Sequence, residues 1–350
     1  ISGSCIPISD GITKINVNQH WAIKLKTTIK KIEYYLPNVT ENGQDLLNDN
    51  PDWSIEDIQS KTGIYQRHIA TEEDMIEMAR LATEKLFDNG VSRDVIDLLI
   101  LVTQSPAYPL PTSACILHGK LNLKKSCMAF DVNLGCSGFV YALAMCSSLI
   151  ESGIASSGLI VCSETYTKYI DSSDRTCRPL FSDGAAAVLI AKSSDDKIGP
   201  FELGTDGSGA DYLIVKPNVD EPSLPDKLYM NGSQVFMFTM NRVPKCVDAL
   251  LDSSAINLND IDMFIFHQAS KLVIENLVRR LELDEEKVFV NYKNVGNTVS
   301  ASIPIALKQA YDEKKLHKGD KVMLVGFGVG LSWGSCLMTC DIEVWLYLRV

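Results

Sequence analysis

Short apolar runs alternate with amphipathic segments from about residue 23 onward. Residues 23–32 interleave Ile with Lys and Thr and predict a strand. Residues 73–88 set Met75, Met78, Ala79, Ala82 and Leu86 on one face at helical spacing. Apolar runs at 96–103, 129–132, 159–163 and 185–191 predict strands covered on both faces. Residues 113–121 predict a helix. Residues 136–150 are apolar on nearly every side, which predicts a helix buried all round. Strand and helix in alternation predict an α/β architecture with covered sheets.

The second half of the chain echoes the first. Val95-Ile96-Asp97-Leu98-Leu99-Ile100-Leu101 returns as Asp260-Ile261-Asp262-Met263-Phe264-Ile265-Phe266. Ser157-Gly158-Leu159-Ile160-Val161 returns as Asp320-Lys321-Val322-Met323-Leu324-Val325. Between them each half places a small-residue turn before a helix: Asn133-Leu134-Gly135-Cys136, and Asn294-Val295-Gly296-Asn297. One such pair is ordinary for α/β chains. Three in the same order predict a duplicated domain with its site where the halves meet. The predicted division is a tail or appended remnant at 1–22, halves at 23–198 and 199–340, and an extension at 341–350.

Composition narrows the function classes. The chain has 350 residues, 46% hydrophobic and 22% charged, enough for one large core or two fused ones. A net charge of −11 argues against nucleic acid as the main partner. No run reaches the roughly 18 apolar residues of a membrane span. Ten cysteines are many, but Cys127, Cys146 and Cys162 sit in apolar stretches, where thiols act as small hydrophobes. No C-x-x-C pair and no Cys/His grouping at zinc spacing occurs, so no metal is expected. The reading is a reduced, cytoplasmic protein in which one thiol is a candidate nucleophile.

That thiol is Cys136. It stands at a strand–turn–helix junction between Gly135 and Ser137-Gly138, whereas the other apolar-segment cysteines have bulky neighbours. A helix N-terminus there offers N–H groups to a thiolate. Among the five histidines, His267 alone ends a hydrophobic strand, the edge where α/β sites form. A strand-end His is often structural, and a turn Asn is often a cap. The repeat raises both, because Asn297 takes in half two the place that Cys136 takes in half one. The glycines at 326–330 lack the Lys-Ser/Thr of a phosphate loop and read as tight backbone able to offer an N–H to an oxyanion.

These residues together resemble β-ketoacyl-acyl carrier protein synthase III. The resemblance rests on Asp131-Val132-Asn133-Leu134-Gly135-Cys136-Ser137-Gly138-Phe139, His267-Gln268-Ala269-Ser270, Gly296-Asn297-Thr298 with Ser302-Ile303-Pro304, and the 326–330 glycines with Ser332-Trp333-Gly334. Lys61-Thr62-Gly63-Ile64 and Leu180-Phe181-Ser182-Asp183-Gly184-Ala185 support it. It implies a thiolase-like fold of two duplicated α/β halves in five layers (α-β-α-β-α), and a homodimer. It implies an acyltransferase of fatty-acid biosynthesis with no permanently bound cofactor, using acyl-CoA and malonyl-acyl carrier protein as substrates. Cys136 would take the acyl group. His267 and Asn297 would stabilise the enolate formed as carbon dioxide leaves a malonyl thioester. Val329 and Cys136 N–H groups would form the acyl oxyanion hole, with Phe327 near the decarboxylating group and Leu134 and Leu331 shaping the acyl pocket, together with residues 108–112 of a partner subunit.

Some positions depart from that pattern. Asp57-Ile58 stands where the family has a Trp-Ile that helps hold coenzyme A, although Arg175, which faces that Trp, is kept. Leu272 and Met237 replace basic residues expected to bind the carrier protein, leaving Lys61, Lys271, Arg279 and Arg280 as the candidate basic set. These departures suggest a specialised pathway member. The alternatives are an acyltransferase of the same fold that forms an ester or amide without decarboxylation, an inert partner subunit, or a cysteine hydrolase.

Overall fold

The computed structural model describes residues 25–217 and 226–343. The predicted 1–22 tail, Ile23 and Lys24 of the first strand, and residues 344–350 of the extension lie outside the described residues.

The first half supplies β1 (Thr27–Tyr35), β2 (Leu98–Val102), β3 (Met128–Val132), β4 (Ser157–Glu164) and β5 (Gly184–Lys192). They form one sheet in the order β1-β5-β4-β2-β3. The β2 strand pairs in parallel with β3 and β4, while β5 runs antiparallel to β4 and β1. The second half supplies β6 (Ile198–Thr205), β7 (Met263–Phe266), β8 (Lys321–Gly328) and β9 (Ser332–Thr339), ordered β7-β8-β9-β6. Here β7 and β8 are parallel, and β9 is antiparallel to β8 and β6. The two sheets therefore share order and sense. The place of a fifth strand is taken by a single parallel bridge between Phe264 and Val288.

The duplication extends to hydrogen bonds. The Asp97 carboxylate accepts from Ser156 N–H at 2.8 Å, and Asp262 accepts from Lys321 N–H at 2.8 Å. Asp97 N–H donates to Ser157 O and Asp262 N–H to Lys321 O. The aspartates that matched in the sequence repeat thus do the same work, tying the start of one strand to its neighbour.

Helices α1 (Ile55–Thr62), α2 (Met75–Asp88), α3 (Ser113–Lys120), α4 (Gly138–Glu151), α5 (Gly232–Ser254), α6 (Lys271–Arg280) and α7 (Ser302–Asp312) complete the frame. Helices α4 and α7 lie between the sheets in one shared core with Ile100, Ile160, Ile265 and Leu324. That is why the sequence of α4 is apolar all round: both sides face a sheet. Phe139 at its start is fully buried, and replacing it by Ala would remove about 3–5 kcal/mol. Helices α2 and α3 cover the outer face of the first sheet, and α5 and α6 that of the second. The architecture is the five-layer thiolase-like α/β fold expected from the sequence.

Several boundaries move. The first strand continues past 32 to Tyr35. Helix α4 begins at Gly138, after Cys136, so the cysteine sits in the turn. The predicted extension is partly folded back: Ile342 is buried, Glu343 N–H donates to Lys30 O at 2.9 Å, and Lys30 pairs with Glu343 at 3.0 Å.

Candidate active site

Three strand ends and two turns converge at the seam between the halves. The β3 strand delivers Cys136 and the turn before α4. Close packing dictates its glycines: a Cβ on Gly135 would stand 2.4 Å from Gln104 Oε1, and one on Gly138 2.5 Å from Val102 Cγ1. The β8 glycines lie against the same turn. A Cβ on Gly326 would meet Cys136 O at 2.8 Å, and one on Gly328 would meet Cys136 Sγ at 2.9 Å. The glycine-rich segment is therefore backbone pressed onto the nucleophile.

Cys136 is buried. Burial, with the Glu164 carboxylate nearby, pushes its thiol up to about 12, against the pull of the N–H groups of Cys136 and Val329. The helix N-terminus was expected to favour a thiolate. The desolvation of the sulfur outweighs it, and the resting group is a neutral thiol.

His267 follows the last residue of β7, and its N–H donates to Val325 O at 2.8 Å. Its ring meets Phe327 edge-on at 5.5 Å between centroids. Burial lowers its imidazole to about 3, so the ring is neutral. Nδ1 lies 2.7 Å from Ser302 Oγ, at the start of α7. Asn297 is locked to the first half, its N–H donating to Leu180 O at 3.0 Å and its O accepting from Ser182 N–H at 2.9 Å. Val299 N–H donates to Asn297 Oδ1 at 2.9 Å. That bond fixes the amide orientation and leaves Nδ2–H as the free donor.

Cys136, His267, Asn297 and Phe327 line the buried part of a cavity of about 990 Å³. Its exposed part carries Asp57, Lys61, Arg175 and Leu272. Lys61 and Arg175 therefore reach the cavity, whereas Lys271, Arg279 and Arg280 are not among its lining residues. Lys271 lies 3.8 Å from Glu275, and Arg279 bonds Glu275 O and Asn276 on its own helix. Leu134, Val329 and Leu331 do not line the cavity either. Leu331 packs on Gly209, whose Cβ would stand 2.4 Å from Leu331 Cδ1, so it shapes the shell and not the space.

Sequence reasoning missed Ser302 as the partner of His267, and missed Glu164. The second had a signal: like His267, Glu164 is an ionisable residue closing an apolar strand. The nine cysteines of the described residues are free thiols. Among the described residues no group of His, Cys, Asp and Glu could hold a metal, and no helix is long and apolar enough to cross a membrane.

Residues 130–207 match the family described as 3-oxoacyl-[acyl-carrier-protein (ACP)] synthase III, and residues 251–340 match the C-terminal part of the same synthase. A β-ketoacyl-[acyl-carrier-protein] synthase III of Clostridium perfringens is 37% identical over 316 residues, covering 87% of this chain and 96% of the relative. The chain belongs to the β-ketoacyl-acyl carrier protein synthase III family. Another synthase III, of Xanthomonas campestris, is 37% identical over 311 residues, 87% of this chain and 95% of its own. Among solved structures, the 3-oxoacyl-[acyl-carrier-protein] synthase III of Aquifex aeolicus superposes with a TM-score of 0.84 at 34% identity, covering 90% of this chain and 100% of that one. A priming β-ketosynthase of a polyketide biosynthetic pathway gives 0.85 at 28% identity, covering 91% and 98%. As a member of the synthase III family the chain is an acyltransferase of the condensing type.

Proposed function

We propose that this synthase III acylates Cys136 from a thioester and then extends the acyl group by decarboxylative condensation with a malonyl thioester. The observation that carries the reading is one cavity joining a buried thiol, a neutral imidazole and an oriented amide.

In the first half-reaction Cys136 Sγ attacks the donor carbonyl, and the Cys136 and Val329 N–H groups hold the oxyanion. The tetrahedral adduct expels the donor thiolate, and the Cys136 proton ends on that leaving sulfur. His267 serves this transfer when Nδ1–H donates to Ser302 Oγ, because Nε2 then carries a lone pair. In the second, the malonyl carboxylate leaves as carbon dioxide, and its bonding electrons move into the enolate. When Ser302 O–H donates to Nδ1, His267 presents Nε2–H, and with Asn297 Nδ2–H supplies two donors to the enolate oxygen. The enolate carbon attacks the acyl-enzyme carbonyl. Cys136 leaves as a thiolate and is reprotonated, giving a β-ketoacyl thioester. An ester- or amide-forming transferase has no enolate to hold, so the oriented Asn297 amide favours condensation.

On this reading the substrates are an acyl-CoA or other acyl thioester and malonyl-acyl carrier protein, and the enzyme is a cytoplasmic homodimer. Tyr108 and Leu110, 59% and 81% exposed, support a subunit contact there. Lys61 and Arg175 are the cations that favour a phosphate-bearing donor at the cavity mouth. Asp57 beside them disfavours the adenosine end of coenzyme A and supports a specialised donor. A panel of acyl-CoA and acyl-carrier donors, followed by mapping of the mass increment, tests the first step. An acyl increment on the Cys136 peptide, absent in Cys136→Ser, is expected. No adduct from any donor would contradict it.

A further inference from the structure

Glu164 takes no part in the steps above, yet it is a fully buried carboxyl that bonds the turn carrying Asn297. It ends β4, a strand buried along its whole length, and is itself 0% exposed. Donors reach its carboxylate from both halves of the molecule. From the turn after β2 come Ser105 Oγ at 2.8 Å, Gln104 N–H at 3.1 and 3.2 Å, and Thr103 Oγ1 at 3.4 Å. From the second half comes Ser300 Oγ at 2.7 Å.

Ser300 follows Val299, the residue whose N–H orients Asn297. Val299 has φ of +53°, in the left-handed region. A β-branched residue there is strained and persists only where the surroundings hold it. On one side the turn is held by the backbone pairing of Asn297 with Leu180 and Ser182. On the other side Ser300 Oγ is held by Glu164 at 2.7 Å, with the more distant Val102 O at 3.4 Å. When the carboxyl is ionised the Ser300–Glu164 bond is charge-assisted and stronger than a neutral one.

We infer that Glu164 is a positioning residue: through Ser300 it holds the Asn297 turn in the conformation that aims Nδ2–H at the enolate. This rests on the condensation reading above. Two opposed effects act on the carboxyl. Burial holds it up at about 7, against the four hydrogen-bonding residues Ser300, Ser105, Gln104 and Thr103. The titratable groups that feel it are Cys136, Cys162, Tyr166, Tyr169 and Lys168. Lys168 is the cation among them, and its Nζ donates to Ser105 O at 3.1 Å.

The test uses Ser300→Ala and Glu164→Gln in the full chain. Carbon dioxide release from malonyl-pantetheine is followed in the presence of an acyl donor, and Cys136 alkylation by iodoacetamide is followed against pH. Ser300→Ala should release carbon dioxide about tenfold more slowly, since a misdirected donor loses positioning, while its alkylation profile stays in place. Glu164→Gln should slow release as well, and shift the alkylation profile to lower pH because a like charge is gone. A loss of packing alone would not move that profile. If Glu164→Gln fails to fold, Ser300→Ala decides. Release by Ser300→Ala at the wild-type rate would overturn the inference. Wild-type enzyme that releases no carbon dioxide would instead contradict the condensation reading.

Discussion

A methyl group added at Gly328 probes how tightly β8 is set against the nucleophile. It would stand 2.9 Å from both Cβ and Sγ of Cys136. Unstrained carbon contacts close at about 3.5–4.0 Å, so the sulfur or the strand must yield by roughly 0.6–1 Å. Neither has room. Gly328 is the last residue of β8 and pairs with Ser332, and Ser137 Oγ is hydrogen-bonded to Ser332 Oγ at 2.7 Å. A misplacement near 1 Å costs on the order of 100-fold in rate. Overpacking costs about 1–3 kcal/mol and the φ of +158° at Gly328 adds backbone strain of about the same size, together within the about 5–15 kcal/mol stability of a folded domain. Gly328→Ala should therefore fold, melt a few degrees lower and acylate Cys136 about 100-fold more slowly. Time-resolved intact mass measures the acylation, and a thermal melt confirms folding. A folded variant that acylates at the wild-type rate would refute the argument that this contact sets the sulfur.

Three further outcomes follow from the same geometry. Asn297→Asp replaces the Nδ2–H donor by an acceptor, so carbon dioxide release should fall by about 100- to 1,000-fold while Cys136 still acylates; a scintillation count of released label beside intact mass checks both. Burial lowers His267 from 6.5 to about 3, so the unfolded chain takes up a proton first as pH falls; the contribution is complete above pH 6.5 and is lost toward pH 3. Urea midpoints should drop over that range, and His267→Gln should flatten the drop. Gly119, inside α3, has nothing within 4 Å of an added Cβ, so Gly119→Ala should gain about 0.5–1 kcal/mol in a urea titration with no change in acylation rate.

The sequence pattern carried the frame well where one face of an element is buried. The stripe of Met75, Met78, Ala79, Ala82 and Leu86 is buried in full on α2, and the repeated Asp97 and Asp262 mark equivalent strands. Helix α5 left no comparable trace. It runs 23 residues with Pro244 in its interior, and a proline in mid-pattern reads as an end, not a middle. Cys136, His267 and Asn297 were legible because each stands at a junction between an apolar run and a turn of small or polar residues. Their state was not. The helix terminus suggested a thiolate, but solvent exclusion by Phe181, Val299 and the β8 glycines wins, and that depends on residues distant in the chain. Ser302 and Glu164 act through contacts across 35 and 136 residues, which no local pattern encodes.

On the condensation reading, one cavity performs acyl transfer and then carbon–carbon bond formation. Single-turnover condensation tests it most directly: enzyme acylated on Cys136, freed of donor, is mixed with a malonyl thioester carrying label in its free carboxyl group. One equivalent of labelled carbon dioxide and one of β-ketoacyl thioester per acyl-Cys136 consumed are expected, with the free thiol restored. Acyl-Cys136 that is lost to water or to an alcohol or amine, with no β-ketoacyl product, would contradict that reading.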